Sequence, residues 1–383
     1  MENNSSDRII RVAVSGAGNR ARGVVRRLLS DSKNRVKIVA VYDPDKDIAK
    51  DSAVNVWNSP DAVICSSWEE ALRHDVDWAM VFSPNYAHKD QIIAAFQAGK
   101  DVFSEKPIAT KIEDGQAIYE AWKKYGRIFA TGFVLRYALI YSKAHEILNS
   151  GILGKLVSVE ANENIRFQHG GYIMTNWRRL TRYAGPHILE KCCHDLDIIE
   201  WLTGSIPSKV NAFHGRSLFL PENRYLEEKY GKNQFKCFWD PHKLDSAFND
   251  DSDLHDNLIS IARFRNGVHV AFSYSMFSTI PERRMLFHCT EGTLSLNIYE
   301  STLKWKKLGE AAETIMKFTD CDGHGGGDAF IMQELFDTML NGTPPKCSGD
   351  EGLQSAVYAL ALDKAASSGE QVDLEPIWSS LGR

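Results

Sequence analysis

Apolar positions in the first third of the chain fall in short runs separated by amphipathic stretches. Runs at 9–14, 36–42, 63–65, 78–82, 102–104 and 128–130 predict six strands. Between them, helical periodicity predicts helices at about 19–29, at 91–98 before the stop signal Gly99, and at 112–125. Strands alternating with helices imply βαβ units and a parallel sheet covered on both faces. Six of them make a complete α/β Rossmann domain with a doubly wound sheet.

After Arg136 the texture changes. One helix is predicted at 141–149, followed by strands at 156–161, 210–214, 258–265, 268–275, 284–289 and 293–298. Asn266-Gly267, between two of these strands, is a strong hairpin signal. A single helix at 188–202 interrupts the series, and helices at about 328–340 and 352–366 close the chain. Residues 221–252, polar and aromatic, read as a long loop or insertion. Strands grouped with few helices predict an α+β domain with an open, mainly antiparallel sheet. The expected domains are 1–135, which binds the dinucleotide, and 136–383, which serves substrate binding and oligomerisation. The helix at 352–366 is a candidate to pack back on the first domain.

Length and composition add bounds. A chain of 383 residues, 43% hydrophobic and 25% charged, can bury a large core without metal or disulfide staples. A net charge of -5 and the lack of a basic run argue against nucleic acid as a partner. The polar first eight residues lack a signal-peptide core, and no apolar stretch is long enough to span a bilayer, so a cytoplasmic protein without membrane contact is expected. Seven scattered cysteines (Cys65, Cys192, Cys193, Cys237, Cys289, Cys321 and Cys347) form no CxxC pair, which points away from zinc and from a disulfide framework.

Ser15-Gly16-Ala17-Gly18-Asn19-Arg20-Ala21 follows the first strand and opens the first helix. In that context Gly16 makes the tight turn, Gly18 lets the backbone approach a pyrophosphate, and Ala21 allows close helix–strand packing. The helix N-terminus supplies free N–H groups for the phosphate charge. Asp43, at the end of the second strand, suits both ribose hydroxyls and repels a 2′-phosphate, which favours NAD over NADP. It also fits an ordinary turn before Pro44. Arg20 and Arg22 can reach phosphates, or be solvated helix charges.

Three further clusters carry chemistry. Ser83-Pro84-Asn85, with His88 soon after, ends the fourth strand, and Glu105-Lys106-Pro107 ends the fifth; both lie on the ligand side of such a sheet. A lysine there can polarise a substrate hydroxyl, although a surface salt bridge has the same spacing. Glu190-Lys191-Cys192-Cys193-His194-Asp195-Leu196-Asp197 lies in the helix predicted at 188–202, which would put Glu190 and His194 on one face and Asp197 within reach of His194. A histidine titrates near 6.5, close to working pH, and so suits proton transfer.

These residues together identify a resemblance to the glucose–fructose oxidoreductase, inositol 2-dehydrogenase and MocA family. The motifs that carry it are Gly16-x-Gly18-x-x-Ala21, Ser83-Pro84-Asn85 with His88, Glu105-Lys106-Pro107, Trp177-Arg178 and His194-x-x-Asp197. The resemblance implies a Rossmann domain, an open-sheet second domain, and hydride transfer between NAD(P) and a secondary alcohol of a sugar or cyclitol. By carry-over, Lys106 is the active-site lysine and His194 the general acid/base. Asn19, Arg20, Asp43, Ser83, Pro84, Asn85, His88 and Glu105 join the dinucleotide set. Arg136, Tyr172, Trp177, Arg178, Glu190 and Asp197 are the expected substrate contacts. Many relatives carry Asp where this chain has Glu190, and a Gly-rich stretch where it has Lys191-Cys192-Cys193, so a substrate other than inositol is expected.

Weaker signals stay open. His324-Gly325-Gly326-Gly327-Asp328 fits either a loop closing over a polyol or a helix N-cap with Asp328. His187, Cys192, Cys193 and His194 point in different directions around a helix, so no metal is expected. Asp250, Asp251, Asp253 and Asp256, with His255, could suit calcium but lack the EF-hand spacing and its Gly, so they read as a solvated loop from which Asp256 or Asn257 can reach substrate. Two other functions fit the same scaffold: an NAD-dependent glycoside hydrolase working by transient oxidation and elimination, and a non-catalytic NAD(P) sensor. Retention of both Lys106 and His194 argues against the sensor. The open sheet predicts a homodimer or homotetramer.

Overall fold

The computed structural model describes residues 8–237, 243–319 and 324–383. The chain forms two compact units. Met1–Val134 and Gly327–Leu353 make the first; Leu135–Gly326 and Gln354–Arg383 make the second. Where the sequence predicts one boundary at 135/136, the chain thus returns to the first unit after Gly326. Among the described residues no helix is long and apolar enough to cross a membrane.

The first unit is built on six parallel strands: β1 (Ile10–Ser15), β2 (Val36–Tyr42), β3 (Val63–Cys65), β4 (Trp78–Val81), β5 (Asp101–Ser104) and β6 (Phe129–Thr131). Their order, β3-β2-β1-β4-β5-β6, is the doubly wound Rossmann order. The central strands are covered on both faces; Val12, Val14, Ala79, Met80 and Val102 are wholly buried, which is why their sequences read as unbroken apolar runs. A helix at Lys46–Asp51, absent from the sequence reading, is capped by Asp45, which accepts from the amides of Asp47 and Ile48. The returning segment adds the helix Gly327–Asn341, packed on the helix Asn19–Asp31. It also lengthens the β6 edge, where the Thr131 amide donates to the Cys347 carbonyl at 2.9 Å.

The second unit holds a nine-stranded sheet of β7 (Leu156–Arg166), β8 (Pro207–Gly215), β9 (Asn257–Phe264), β10 (His269–Ser278), β11 (Arg284–Cys289), β12 (Gly292–Asn297), β13 (Thr302–Lys307), β14 (Thr314–Lys317) and β15 (Val372–Asp373). The order is β14-β13-β12-β11-β7-β10-β9-β8-β15, antiparallel except where β7 pairs with β10. Asn266-Gly267 does turn β9 into β10, with Gly267 at φ 88°. On β9, Leu258, Ser260, Ala262 and Phe264 are buried, whereas Ile259 is 69% and Ile261 61% exposed. Phe213 on β8 is 73% exposed, so an apolar strip faces outward.

Two expectations change here. The helix predicted at 188–202 is two helices, His187–Glu190 and Cys193–Thr203, broken at Lys191-Cys192. The stretch 221–252, read as a loop, carries short helices at Pro221–Arg224, Tyr225–Tyr230 and Lys232–Phe235 among its described residues, while 238–242 lie outside them. Its aromatics build a small core, with Phe235 and Phe248 rings 4.9 Å apart.

Candidate functional site

The dinucleotide turn is shaped by packing on one side and left open on the other. Gly16 adopts φ 82°, and a Cβ there would lie 2.6 Å from the Ser83 amide nitrogen, so only glycine fits. A Cβ on Gly18 would meet nothing within 4 Å. Gly18 caps the helix Asn19–Asp31 without a side-chain hydrogen bond, and the first turn holds no acidic residue. An uncapped helix N-terminus beside open space fits a pyrophosphate. Asp43 sits just beyond β2, where Oδ2 accepts from the Ala17 amide at 2.8 Å and Oδ1 from the Asp45 amide at 2.9 Å. These bonds fix the carboxylate beside the turn and leave lone pairs for ribose hydroxyls.

The two arginines of the turn have separate roles. Arg22 donates to Ser52 Oγ at 2.8 Å and Asp51 Oδ2 at 2.7 Å, which ties its side chain to the neighbouring helical turn. Arg20 bridges Glu105 Oε1 at 2.6 Å and Asp328 Oδ1 at 2.8 Å. Burial alone would lower the Arg20 pKa, but the two carboxylates raise it above its ordinary value. Asp328 therefore belongs to an ion-paired cluster as well as to the start of a helix.

Glu105 is buried, and its Oε2 accepts from the Lys106 amide at 3.2 Å. Gly132 makes room for it, because a Cβ there would lie 2.7 Å from Glu105 Oε2. His88 is also buried; Nδ1 lies 2.8 Å from the Pro107 carbonyl and Nε2 2.7 Å from the Ser83 carbonyl. It braces the loops after β4 and β5, and burial lowers its pKa. Ser15 and Ser83 hydroxyls both donate to Gln91 Oε1 at 2.8 Å. Asn85 is buried in the short helical turn Asn85–Ala87. Lys106 thus extends from a tightly braced loop.

In the second unit His194 occupies the first turn of the helix Cys193–Thr203 and is buried. Because the chain breaks at Lys191-Cys192, Glu190 and His194 do not share a continuous helix face, which corrects the sequence expectation. Asp197 does follow on the same helix, yet its carboxylate takes a bidentate pair from Arg136, with contacts of 2.7, 2.9 and 3.1 Å. That pair is buried, and the guanidinium lies 5.6 Å over the Trp201 ring. Arg136 and Asp197 are therefore an internal anchor.

The other expected substrate residues do come together. Arg178 Nε donates to Glu190 Oε1 at 2.9 Å, and Nη1 reaches Asn176 Oδ1 at 3.3 Å. Its guanidinium lies 4.5 Å from the Trp177 ring centroid and 5.2 Å from that of Tyr172. His324 is carried to His194, with ring centroids 6.0 Å apart. Asp256 is fully buried and accepts from the amides of Ser217, Leu218 and Phe219, so it organises a loop. Asn257 Nδ2 donates to Asp256 Oδ1 at 2.9 Å and joins that network.

Beneath the helix break lies a charge network that sequence reasoning missed. Glu163 on β7 takes Lys191 Nζ at 3.1 Å and Arg283 Nη1 at 3.6 Å on Oε1. Arg283 also clasps Asp195, with two contacts of 2.7 Å. Burial would raise the Glu163 pKa, but Arg283 and Lys191 hold it well below the carboxylate range. Burial and the Glu163 charge push Asp195 up to about 6, against the pull of Arg283. Half-buried His169 is driven down to about 3 by burial and by Lys191. The only sequence signal was the departure at Lys191 itself.

Comparison with known proteins places these motifs in a family context. A family model described as "Oxidoreductase family, NAD-binding Rossmann fold" matches residues 10–133, and one described as "GFO/IDH/MocA C-terminal domain" matches 141–295. An inositol 2-dehydrogenase/D-chiro-inositol 3-dehydrogenase of Shouchella clausii is 25% identical over 96% of this chain and 94% of its own. A 2,7-anhydro-N-acetylneuraminate hydratase of Escherichia coli K12 is 28% identical over 82% of this chain and 75% of its own. Levoglucosan dehydrogenase, solved with NADH and levoglucosan, shares the fold at TM-score 0.80 and 17% identity, covering 96% of this chain and all of its own.

Proposed function

Given that the chain belongs to the Gfo/Idh/MocA family of NAD(P)-dependent oxidoreductases, we propose that it moves hydride between the nicotinamide and a secondary hydroxyl of a sugar, sugar derivative or cyclitol. The observation that carries the substrate class is the Arg178 guanidinium, held by Glu190 against Trp177 and Tyr172 in the unit that bears His194. Aromatic faces beside a fixed guanidinium suit the C–H faces and hydroxyls of a sugar ring. Asp43 supports NAD over NADP, because a bound carboxylate beside the turn repels a 2′-phosphate.

When bound, the nicotinamide supplies the hydride acceptor or donor. His194 takes the hydroxyl proton as the carbon is oxidised and returns it in the reverse direction. Lys106, the active-site lysine by family resemblance, serves to stabilise the negative charge that develops on the substrate. Glu190, through Arg178, orients the ring. The exposed strip of Phe213, Ile259 and Ile261 is the surface for self-association, into a homodimer or homotetramer.

A second reading rests on the hydratase relative, whose named reaction is redox-neutral. In it, transient oxidation acidifies a C–H bond, elimination or its reverse follows, and the hydride returns to the same substrate. Lys106→Ala and His194→Ala test both readings, since each should cut kcat/KM by about 10²–10⁴-fold. Full activity in both variants would contradict the assignment.

A further inference from the structure

Oxidation of an alcohol leaves a proton to dispose of. Each secondary alcohol oxidised gives one hydride to the nicotinamide and one proton to His194, and the next turnover needs His194 neutral again. His194 is only 4% exposed, so bulk water does not reach it freely. The carboxylates on the same stretch of chain give no route outward. Asp195 is wholly buried and clasped by Arg283 through two contacts of 2.7 Å. Asp197 is buried in its bidentate pair with Arg136, and Glu190 is held by Arg178 Nε at 2.9 Å. A proton placed on any of them undoes a charge pair.

His324 is placed differently. Its ring centroid lies 6.0 Å from that of His194, with the planes 50° apart. At that spacing the rings are too far apart for a direct hydrogen bond, whereas one water spans nitrogens on their facing edges. His324 itself is half-buried and so meets solvent as well. The backbone sets its place. His324, Gly325 and Gly326 form a turn in which both glycines are left-handed, at φ 63° and 81°. A Cβ on Gly326 would meet nothing within 4 Å, so the conformation rather than crowding calls for glycine. Imidazole is the side chain whose unperturbed titration falls in the physiological range, which lets it take a proton and release it again.

We propose that His324 relays to solvent the proton that His194 takes from the substrate hydroxyl. In the oxidative direction the substrate O–H bond breaks and an N–H bond forms on His194, while the electron pair leaves with the hydride. The proton then passes through the bridging water to His324 and from His324 to buffer, which returns both rings to the neutral form. Reduction runs the same path inward. The relay rests on the proposed role of His194 as acid and base, and it gives the His324-Gly325-Gly326 turn a chemical task.

The test uses the full chain, NAD, and a panel of sugars, sugar derivatives and cyclitols headed by myo-inositol and levoglucosan, from which the fastest-oxidised alcohol is taken. Stopped-flow absorbance follows the reduced nicotinamide while a pH indicator in weak buffer follows proton release. In the parent the two signals should rise together, one proton per nicotinamide reduced. In His324→Gln, whose amide cannot carry a proton, proton release should lag and kcat should fall at least about tenfold. Free imidazole in the buffer should restore kcat, and the melting temperature should match that of the parent. Proton release in step with the nicotinamide signal in folded His324→Gln, or a lost kcat that imidazole does not restore, overturns the relay. Full activity in His194→Ala, or no net reduction of NAD by the parent, instead contradicts the role of His194, and the relay falls with it.

Discussion

Lys191 Nζ lies 3.1 Å from Glu163 Oε1 in the interior of the second unit, where the Glu163 side chain has no solvent exposure. The contact joins β7 to the break between the helices His187–Glu190 and Cys193–Thr203. It therefore supports the stretch of chain that carries Glu190 on one side and His194 on the other. With Arg283 and Asp195 the set holds two cations and two anions, so its burial is tolerable only while it is complete.

Lys191→Met removes one cation and leaves net negative charge in the core. The variant should lose about 3 kcal/mol of stability, read as a lower urea midpoint. A loss below about 1 kcal/mol would mean that the network is loosely solvated.

Asp43→Ala deletes the acceptor of the Ala17 amide as well as the proposed ribose contact. KM for NAD should rise about tenfold, since one charged hydrogen bond contributes about 1.5–3 kcal/mol. The preference for NAD over NADP should narrow, because the repulsion of a 2′-phosphate goes with the carboxylate. Steady-state kinetics with each dinucleotide would show it.

Arg178→Lys keeps the charge but loses the planar group lying against Trp177 and Tyr172. The substrate KM should rise about 10-fold, as loss of a cation–π contact and a hydrogen bond predicts, with KM for the dinucleotide unchanged. A matching rise in both constants would place Arg178 outside substrate recognition.

His169 carries a pKa of about 3 in the folded protein, below its ordinary 6.5. Between those values the unfolded chain binds the extra proton, so stability is complete above pH 6.5 and is lost as pH falls toward 3. The unfolding free energy should drop by at most about 1.4 kcal/mol per pH unit over that window. His169→Asn should flatten this limb of the curve measured by urea titration at several pH values.

Phe213→Glu and Ile259→Glu place charge on the outward strip of β8 and β9. Light scattering at micromolar concentration should give a dimer or tetramer for the parent and a smaller species for the variants. A parent that is monomeric would contradict the proposed self-association.

The parallel sheet was legible because strands buried on both faces are written as continuous apolar runs. The hairpin was legible because its turn places Gly267 at φ 88°, a conformation that favours glycine. The return of Gly327–Leu353 was not, since an apolar helix carries no mark of which sheet it will cover. The break at Lys191-Cys192 was hidden because no Gly or Pro marks it between His187 and Thr203. β13 alternates only over Thr302–Lys306, with two apolar positions among its lysines, and β14 is four residues long without alternation, so neither was picked out. Tyr172, Trp177, Arg178 and Glu190 were found by residue type and do meet. Glu163 and Arg283 were not found, because charged residues far apart in sequence read singly as surface. His88 and Glu105 were singled out as contacts, whereas their polar atoms are largely engaged in bracing the loops around Lys106.

The most direct measurement of the central claim is the absorbance of the reduced nicotinamide during incubation with a panel of sugars, cyclitols and glycosides, with NAD and with NADP. The account predicts that at least one sugar or cyclitol alcohol reduces NAD stoichiometrically, faster than NADP, and that His194→Ala abolishes the signal. Cleavage or hydration of a sugar with no net reduction would favour the redox-neutral reading. No turnover of any kind by a protein that binds the dinucleotide would contradict the account.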